Sequence, residues 1–134
     1  RAGSADVIEF LGNLFSDRCS AEGRIVQATA DEPVPLCPEC GSYLRPGVVW
    51  FGEAIPEDAL HASFAAAADC CVFLSVGTSA LVYPAAGLAD VAREAGAITI
   101  EVNPSPTGQS ESYSASLRGN AGKVLPQLVE SLAH

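Results

Sequence analysis

The sequence predicts an α/β protein: the second half of a Rossmann-like parallel sheet joined to a small irregular zinc-binding module. Two observations support this fold class. From Pro56 onward, continuous apolar runs alternate with helical stretches, as in a parallel sheet that helices cover on both faces. From Cys19 to Cys40, in contrast, the chain is polar and carries three prolines, so this segment buries too little apolar surface to fold without a staple.

The regular half is predicted to begin with a helix, because Pro56 and the acidic residues after it are typical of a helix N-terminus. The run CCVFLSVG that follows is continuously apolar, as expected of a buried parallel strand. Gly96 marks the end of a second helix. The predicted elements are helices over Pro56–Asp69, Pro84–Ala95 and Ala121–Leu132, strands over Cys70–Gly77, Ala97–Asn103 and Ser114–Leu117, and a loop over Pro104–Ser112.

Composition narrows the functional classes. A chain of 134 residues is long enough for one domain with a core, and its net charge of -9 disfavours nucleic acid or an anionic membrane surface as a partner. The same charge is compatible with basic, lysine-bearing substrates. The longest apolar run, Cys70–Leu74, is far too short to cross a bilayer. Five cysteines without the spacing of a disulfide framework favour a reducing cytoplasm and a metal site.

The segment CPEC, from Cys37 to Cys40, has the spacing with which two thiolates on one tight turn bind zinc. A tetrahedral site needs two further ligands. Cys19 is the candidate third, and Glu22 stands where a second CxxC motif would place the fourth. A metal-free turn, or a site that water completes, is the alternative. Cys70 and Cys71 lie within a predicted strand and are expected to pack in the core.

Polar loops follow two of the predicted strands. Gly77, Thr78 and Ser79 come just after one strand, and Asn103 ends the next. In open parallel sheets, ligands bind at this rim because the loops at the carboxyl ends of the strands face a common crevice. Small residues and hydroxyls there favour a phosphate or ribose, although ordinary connecting loops and an Asn–Pro turn explain the same residues.

The stretch RPGVVWFGEAIPE, from Arg45 to Glu57, contains an apolar run that Gly52 and Glu53 end without the sequence of a hairpin turn. A buried strand is one interpretation. The other is a strip of backbone that remains open to pair with an extended peptide.

Four stretches occur in order along the chain: VIEFLGN, CPECGSYLRPGVVWFGE, GTSALVYPAAG and EVNPSPT. Together they resemble the C-terminal two-thirds of a sirtuin, an NAD-dependent protein-lysine deacylase of the bacterial type. The resemblance extends from Asp6 to about Leu128. It implies NAD and zinc as cofactors, an acylated lysine of a protein or peptide as substrate, and attack of the acyl oxygen on the nicotinamide ribose.

The resemblance also implies roles for single residues. Cys37 and Cys40 match one zinc pair, and Cys19 matches the first cysteine of the other. The residues implied to contact NAD are Gly77, Thr78 and Ser79 at the phosphates and nicotinamide ribose, Asn103 at the adenosine ribose and Ala121 at the adenine. Those implied to bind the acyl-lysine peptide, which adds as an extra strand, are Val49, Trp50, Phe51, Gly52 and Glu53.

The chain departs from the family pattern at three points. Leu11 occupies the position of the catalytic histidine, and leucine cannot act as a base. Glu22 replaces a zinc cysteine. The first glycine-rich NAD loop would precede Arg1, which predicts an N-terminally truncated chain. His61, on a predicted helix, and His134, at the terminus, match no motif and are expected to face solvent.

Two functions follow from these features. The first is an NAD-dependent lysine deacylase; the second is a catalytically dead module that binds zinc and an acyl-peptide. We expect a catalytic-segment remnant over residues 1–18, a zinc-binding module over 19–44 and the C-terminal half of the NAD-binding domain over 45–134. A half-sheet exposes apolar surface, so we also expect self-association.

Overall fold

A computed structural model describes residues 3–26 and 33–132 of the chain. The chain divides into two compact units, residues 1–60 and 61–134. The predicted parallel sheet lies in the second unit and the cysteines of the predicted zinc module lie in the first, so the α/β fold class is confirmed. The finer division at residues 18/19 and 44/45 stays a prediction.

The first unit contains an antiparallel sheet of order β2-β1-β3, with β1 at Gly12–Cys19, β2 at Ile25–Val26 and β3 at Leu44–Val48. The register of β1 against β3 shifts between Asn13 and Asp17, which is the mark of a bulge. Gly12 has a φ of 79°, and a Cβ atom there would collide with the Gly47 carbonyl oxygen. Only glycine therefore permits this close approach of β1 and β3.

The second unit contains a parallel sheet of order β4-β5-β6. Its strands are β4 at Val72–Val76, β5 at Ile98–Asn103 and β6 at Ala115–Arg118. Helix α1 (Glu57–Asp69) precedes β4, α2 (Gly87–Glu94) connects β4 to β5, and α3 (Ala121–Leu132) follows β6. Parallel neighbours require such crossover connections, so the predicted alternation of strands and helices is confirmed.

Two boundaries differ from the predictions. Helix α2 begins at Gly87, because Pro84–Ala86 forms a turn after the cis peptide bond between Tyr83 and Pro84. Strand β4 begins at Val72, so Cys71 precedes it and is exposed rather than part of the core. Gly96 closes the turn after α2 with a φ of 93°, as predicted.

Small residues form the core of the second unit. Ala67, Ala92 and Ala97 are buried, and Phe73 from β4 packs against them. Cys70 joins this cluster, and its thiol donates to the Ala67 carbonyl oxygen at 3.3 Å, so the packing role predicted for Cys70 is confirmed. Over the described residues, none of the helices is both long and apolar enough to cross a membrane.

Candidate functional site

The thiol sulfurs of Cys19, Cys37 and Cys40 lie within 4.8 Å of one another, although the residues are up to 21 positions apart. The sulfurs of Cys19 and Cys40 are 3.5 Å apart. Ligand sulfurs around a tetrahedral zinc ion are about 3.8 Å apart, given a Zn–S distance of about 2.3 Å. Three of the four predicted ligands thus fit a zinc ion.

The two cysteine-bearing turns have the same local geometry. In the first turn, the Gly23 N–H donates to the Cys19 carbonyl oxygen at 2.9 Å; in the second, the Gly41 N–H donates to the Cys37 carbonyl oxygen, also at 2.9 Å. Both glycines have a φ of 70°. Because the turns match, Glu22 in CSAEG corresponds to Cys40 in CPECG. The position predicted for the fourth ligand is therefore structurally equivalent to a cysteine ligand.

The Glu22 carboxylate nevertheless lies outside the sulfur cluster of the described residues. It pairs with the Arg24 guanidinium at 2.5 Å, and Arg24 also pairs with Glu39. About 45% of the Glu22 side chain is exposed, so this ion pair faces solvent. The structure brings three predicted ligands together and turns the fourth toward arginine.

The surroundings of Cys40 and Cys19 shift the pKa values of these two thiols in opposite directions. The Ser42 hydroxyl and backbone N–H, followed by the Cys19 thiol, lower the pKa of Cys40 to about 7. The Glu22 backbone N–H favours the Cys19 thiolate, but burial and the neighbouring Cys40 and Cys37 thiols raise the Cys19 pKa overall. Metal ligands must be deprotonated, so the lowered pKa of Cys40 favours metal binding by this thiol.

The loops that follow β4 and β5 meet at the carboxyl end of the parallel sheet. The Asn103 side-chain amide donates to the Thr78 carbonyl oxygen at 2.7 Å. The Gly77 N–H donates to the Val102 carbonyl oxygen at 2.9 Å, and the Thr78 hydroxyl accepts from the Ala80 N–H at 3.2 Å. Gly77 and Thr78 are exposed. Two of the polar residues predicted to line this rim, Thr78 and Asn103, are thus in contact.

A buried carboxylate lies below this rim, and sequence reasoning missed it. Only 2% of the Glu101 side chain is exposed. Its oxygens accept from the hydroxyls of Thr107 at 2.6 Å and Ser110 at 2.7 Å, and from the Arg118 guanidinium at 2.7 Å. The Ser116 hydroxyl donates at 3.2 Å. Glu101 therefore fastens the loop after β5 to β6. The glutamate inside the otherwise apolar run AITIEVN was the available signal.

Burial alone would raise the pKa of Glu101, but its hydrogen bonds to Thr107, Ser110 and Arg118 outweigh that effect and lower it. The carboxylate is therefore charged at neutral pH. Ala121, the residue implied to contact adenine, is half-buried at the first position of α3, and the carbonyl oxygen of Asn120 before it accepts from the Val124 N–H.

The strip predicted to pair with a peptide is only partly open. The Val49 N–H donates to the Leu11 carbonyl oxygen at 2.9 Å, and the Trp50 N–H donates to the Glu53 carboxylate at 3.1 Å. Phe51 is 94% exposed, and the strip lies beyond the end of β3. The backbone N–H groups of Val49 and Trp50 are therefore bonded within the chain, while Phe51 is exposed; whether the strip binds a peptide stays a prediction.

Leu11 is half exposed and lines an open depression of about 700 Å³ within the first unit. The depression has apolar and polar walls, which are formed by Glu9, Leu11, Gly12, Asn13, Leu14, Phe15, Val48 and Val49. Leu11 thus contributes no proton-carrying group to it. His61 is exposed on α1, as predicted, and His134 lies outside the described residues.

Comparison with known proteins identifies what this chain is similar to. Residues 1–84 match the model of the Sir2 family. The NAD-dependent protein deacylase of Pyrococcus furiosus is 43% identical over 98% of this chain and 56% of its own length. NAD-dependent protein deacylase 1 of Pseudomonas aeruginosa is 46% identical over 96% of this chain and 56% of its own length. The chain thus spans about half the length of the curated relatives it matches.

Solved structures agree with the sequence relatives. A Sir2 homologue in complex with NAD matches with a TM-score of 0.92 and 40% identity, over 99% of this chain and 53% of that one. Sir2Tm bound to a propionylated peptide matches with a TM-score of 0.86 and 28% identity, over 99% of this chain and 59% of that one.

Proposed function

The chain belongs to the Sir2 family, and on that premise we propose that it carries part of the catalytic domain of an NAD-dependent protein-lysine deacylase. The observation that carries the proposal is the hydrogen bond from Asn103 to Thr78, which joins the loops after β4 and β5 into one rim. Crevices at the carboxyl ends of parallel strands bind nucleotides. The likeness to a Sir2 homologue bound to NAD supports NAD as the nucleotide.

We assign each rim residue a contact with one part of NAD. The exposed backbone of Gly77, with its φ of 65°, lets phosphate oxygens approach closely. The hydroxyls of Thr78 and Ser79 supply donors to the phosphates and the nicotinamide ribose. Asn103 contacts the adenosine ribose, and Ala121 lies against the adenine. NAD, when bound, would supply the ribose carbon that the acyl oxygen attacks as the bond to nicotinamide breaks and nicotinamide leaves.

The peptide edge is the second proposed site. Val49 and Trp50 form an apolar wall, while Phe51 and Gly52 offer the backbone that pairs with an acyl-lysine peptide as an added strand. Glu53 caps the loop. The likeness to Sir2Tm bound to a propionylated peptide supports an acylated peptide as the substrate.

The cysteine cluster holds the first unit together in this proposal. Zinc bound by Cys19, Cys37 and Cys40 would link β1 to the CPEC turn, and we assign it a structural role because no carboxylate or imidazole joins the three sulfurs among the described residues. Free cysteines throughout the chain also support our placement of the protein in a reducing cytoplasm.

Nucleotide binding by the chain itself tests the proposal. Titration of ¹⁵N-labelled protein with ADP-ribose should shift the amide signals of Gly77, Thr78 and Asn103. Asn103→Ala should weaken binding about tenfold, the typical effect of one lost polar contact. Gln127→Ala removes an exposed carboxamide from α3 and should leave the affinity unchanged. Shifts confined to other residues would refute the rim as the nucleotide site.

A further inference from the structure

The segment Trp50–Glu53 is a closed turn that ends the apolar strip. The Glu53 N–H donates to the Trp50 carbonyl oxygen at 3.0 Å, and the Glu53 carboxylate accepts from the Trp50 N–H at 3.1 Å. Gly52 has a φ of 88°, which a type II turn requires at its third residue. Phe51, at the second residue, is left 94% exposed. The Phe51 ring therefore buries almost no apolar surface within its own unit.

Arg45, on β3, contacts the first and the last residue of this turn. Its guanidinium lies 4.5 Å from the centre of the Trp50 ring and forms an ion pair with Glu53 at 2.5 Å. The same group donates to the Val48 carbonyl oxygen at 3.0 Å. Only 18% of the Arg45 side chain is exposed, so these contacts are partly shielded from water. One side chain thus holds the strand, the ring and the carboxylate together.

The Glu53 carboxylate is the counter-charge for two arginines, Arg45 and Arg18. Arg18 on β1 is the register partner of Arg45 on β3, and like charges in opposite positions repel. Glu53 is paired with Arg45, and the charge of Arg18 also acts on it. Without the carboxylate, two neighbouring arginines lose their shared counter-charge, and the turn loses its cap.

We propose that Arg45 and Glu53 are positioning residues that close the Trp50–Glu53 turn before a peptide binds, and thereby present the Phe51–Gly52 edge in its binding conformation. The inference rests on the proposed function for its ligand, an acyl-lysine peptide. A preformed edge avoids the cost of ordering a loop on binding. The pair Arg45 and Glu53, called the clamp below, therefore raises the affinity for the peptide without touching it.

Trp50 is the only tryptophan of the chain, so its fluorescence reports on the turn without any ligand. In Glu53→Gln and Arg45→Lys, we expect a red-shifted emission and a higher acrylamide-quenching constant than in the unmodified chain. Lysine retains the charge of Arg45 but cannot donate to Val48 and Glu53 while it stacks on the ring. Asp90→Asn, which removes a comparable ion pair with Arg93 on α2, is the matched control and should change neither quantity.

Two further readouts separate positioning from general stability. Thermal unfolding followed by circular dichroism should change little in Glu53→Gln, because Glu53 lies at the surface and its pairing with Arg45 is local to the turn. The affinity for an acetyl-lysine peptide should fall about tenfold in each, the typical effect of one lost hydrogen bond to a charged group. Unchanged quenching, a loss of thermal stability that matches the quenching change, or undiminished peptide affinity would each overturn the clamp.

The fluorescence arm also separates this inference from the proposed function. If the unmodified chain binds no acetyl-lysine peptide, the peptide site fails as proposed. The quenching constants of the two variants then decide alone whether Arg45 and Glu53 close the turn.

Discussion

Glu22 determines how many protein ligands the cysteine cluster offers a metal ion. It occupies the position equivalent to Cys40, yet its carboxylate pairs with Arg24. Arg24 also pairs with Glu39, so metal ligation by Glu22 would break one arm of a two-carboxylate bridge around the guanidinium. We therefore expect zinc to be held by three thiolates of this chain.

Replacement of Glu22 tests this arrangement. Reduced protein should bind about one zinc ion per chain, and Glu22→Cys should tighten binding by at least about tenfold, because even outer contacts of zinc ligands change affinity by that much. Glu22→Ser removes the carboxylate without adding a ligand and should leave affinity unchanged. Competition with a chromogenic chelator measures all three proteins. Weaker binding by Glu22→Ser would show that Glu22 is itself a ligand.

The cysteine ligands could be predicted from the sequence, but the ion-pair partner of Glu22 could not. Cys37 and Cys40 were predictable because CxxC spacing alone places two sulfurs on one turn. The pairing of Glu22 was not, since a carboxylate chooses between a metal and a nearby cation by three-dimensional distance. The Arg45 contacts with Trp50 and Glu53 were missed for the same reason.

At the scale of elements, the Glu101 cluster decides whether β6 and the loop after β5 stay attached to the sheet. The carboxylate is buried, and its partners come from the loop and from β6. Removal of the charge leaves the hydroxyls of Thr107 and Ser110 and the guanidinium of Arg118 with a weaker acceptor. A buried network that is only partly satisfied destabilises the fold around it.

We expect Glu101→Gln to lower the free energy of unfolding of the second unit by about 1.5–3 kcal/mol, the contribution of one hydrogen bond to a charged group. Urea denaturation, with hydrogen exchange of β6 amides to localise the effect, measures this loss. Glu94→Gln removes an exposed carboxylate from α2 and should change stability little. An equal effect of both variants would mean that net charge, rather than the cluster, is responsible.

The same carboxylate gives stability a pH dependence. Its pKa in the folded chain lies below the ordinary value of 4.5. Its contribution is therefore fully present above the unfolded pKa and is lost as pH falls through the folded pKa. Urea midpoints between pH 7 and pH 3 should fall less in Glu101→Gln than in the unmodified chain. Parallel curves would contradict this linkage.

Most elements after Pro56 could be predicted because the apolar residues of each follow a pattern typical of a helix or of a buried parallel strand. Helix α3, at Ala121–Leu132, has the predicted bounds, and β5 differs by one residue. Strand β1 was missed, because GNLFSDRC does not alternate polar and apolar residues and its register is broken by a bulge. Backbone pairing with β3, rather than side-chain burial, makes that segment a strand.

At the scale of the whole molecule, one face of the parallel sheet carries exposed apolar residues. Val72, Leu74 and Val76 alternate along β4 and are 47%, 41% and 37% exposed, and Ile98, opposite Val72, is 55% exposed. Parallel sheets are normally covered on both faces. Contiguous apolar surface of this kind drives association.

We expect the 134-residue chain to self-associate through this face, and sedimentation velocity over a range of concentrations measures it. Leu74→Lys should shift the distribution toward monomer, because a charge on the face opposes burial. Val129→Lys, at a more exposed apolar position on α3 outside this face, is the control. A monomer at high concentration with a cooperative thermal transition would show that the face needs no cover.

Leu11 bears most directly on the proposed enzyme. The resemblance places it where the family has its catalytic histidine, in a depression to which leucine brings no proton acceptor. General-base catalysis contributes about a hundred- to ten-thousand-fold to rate. We therefore expect the chain as it stands to show no measurable turnover of acyl-lysine peptides, with or without NAD.

The decisive measurement is NAD-dependent deacylation by a longer chain, in which the N-terminal part of a curated relative precedes Arg1. We predict that the Leu11→His version removes the acyl group from an acyl-lysine peptide only when NAD is present. The version that retains Leu11 should be at least about a hundredfold slower, since it lacks the base. No NAD-dependent turnover by the Leu11→His version, under conditions in which the relative itself is active, would contradict the assignment of this chain as part of a deacylase.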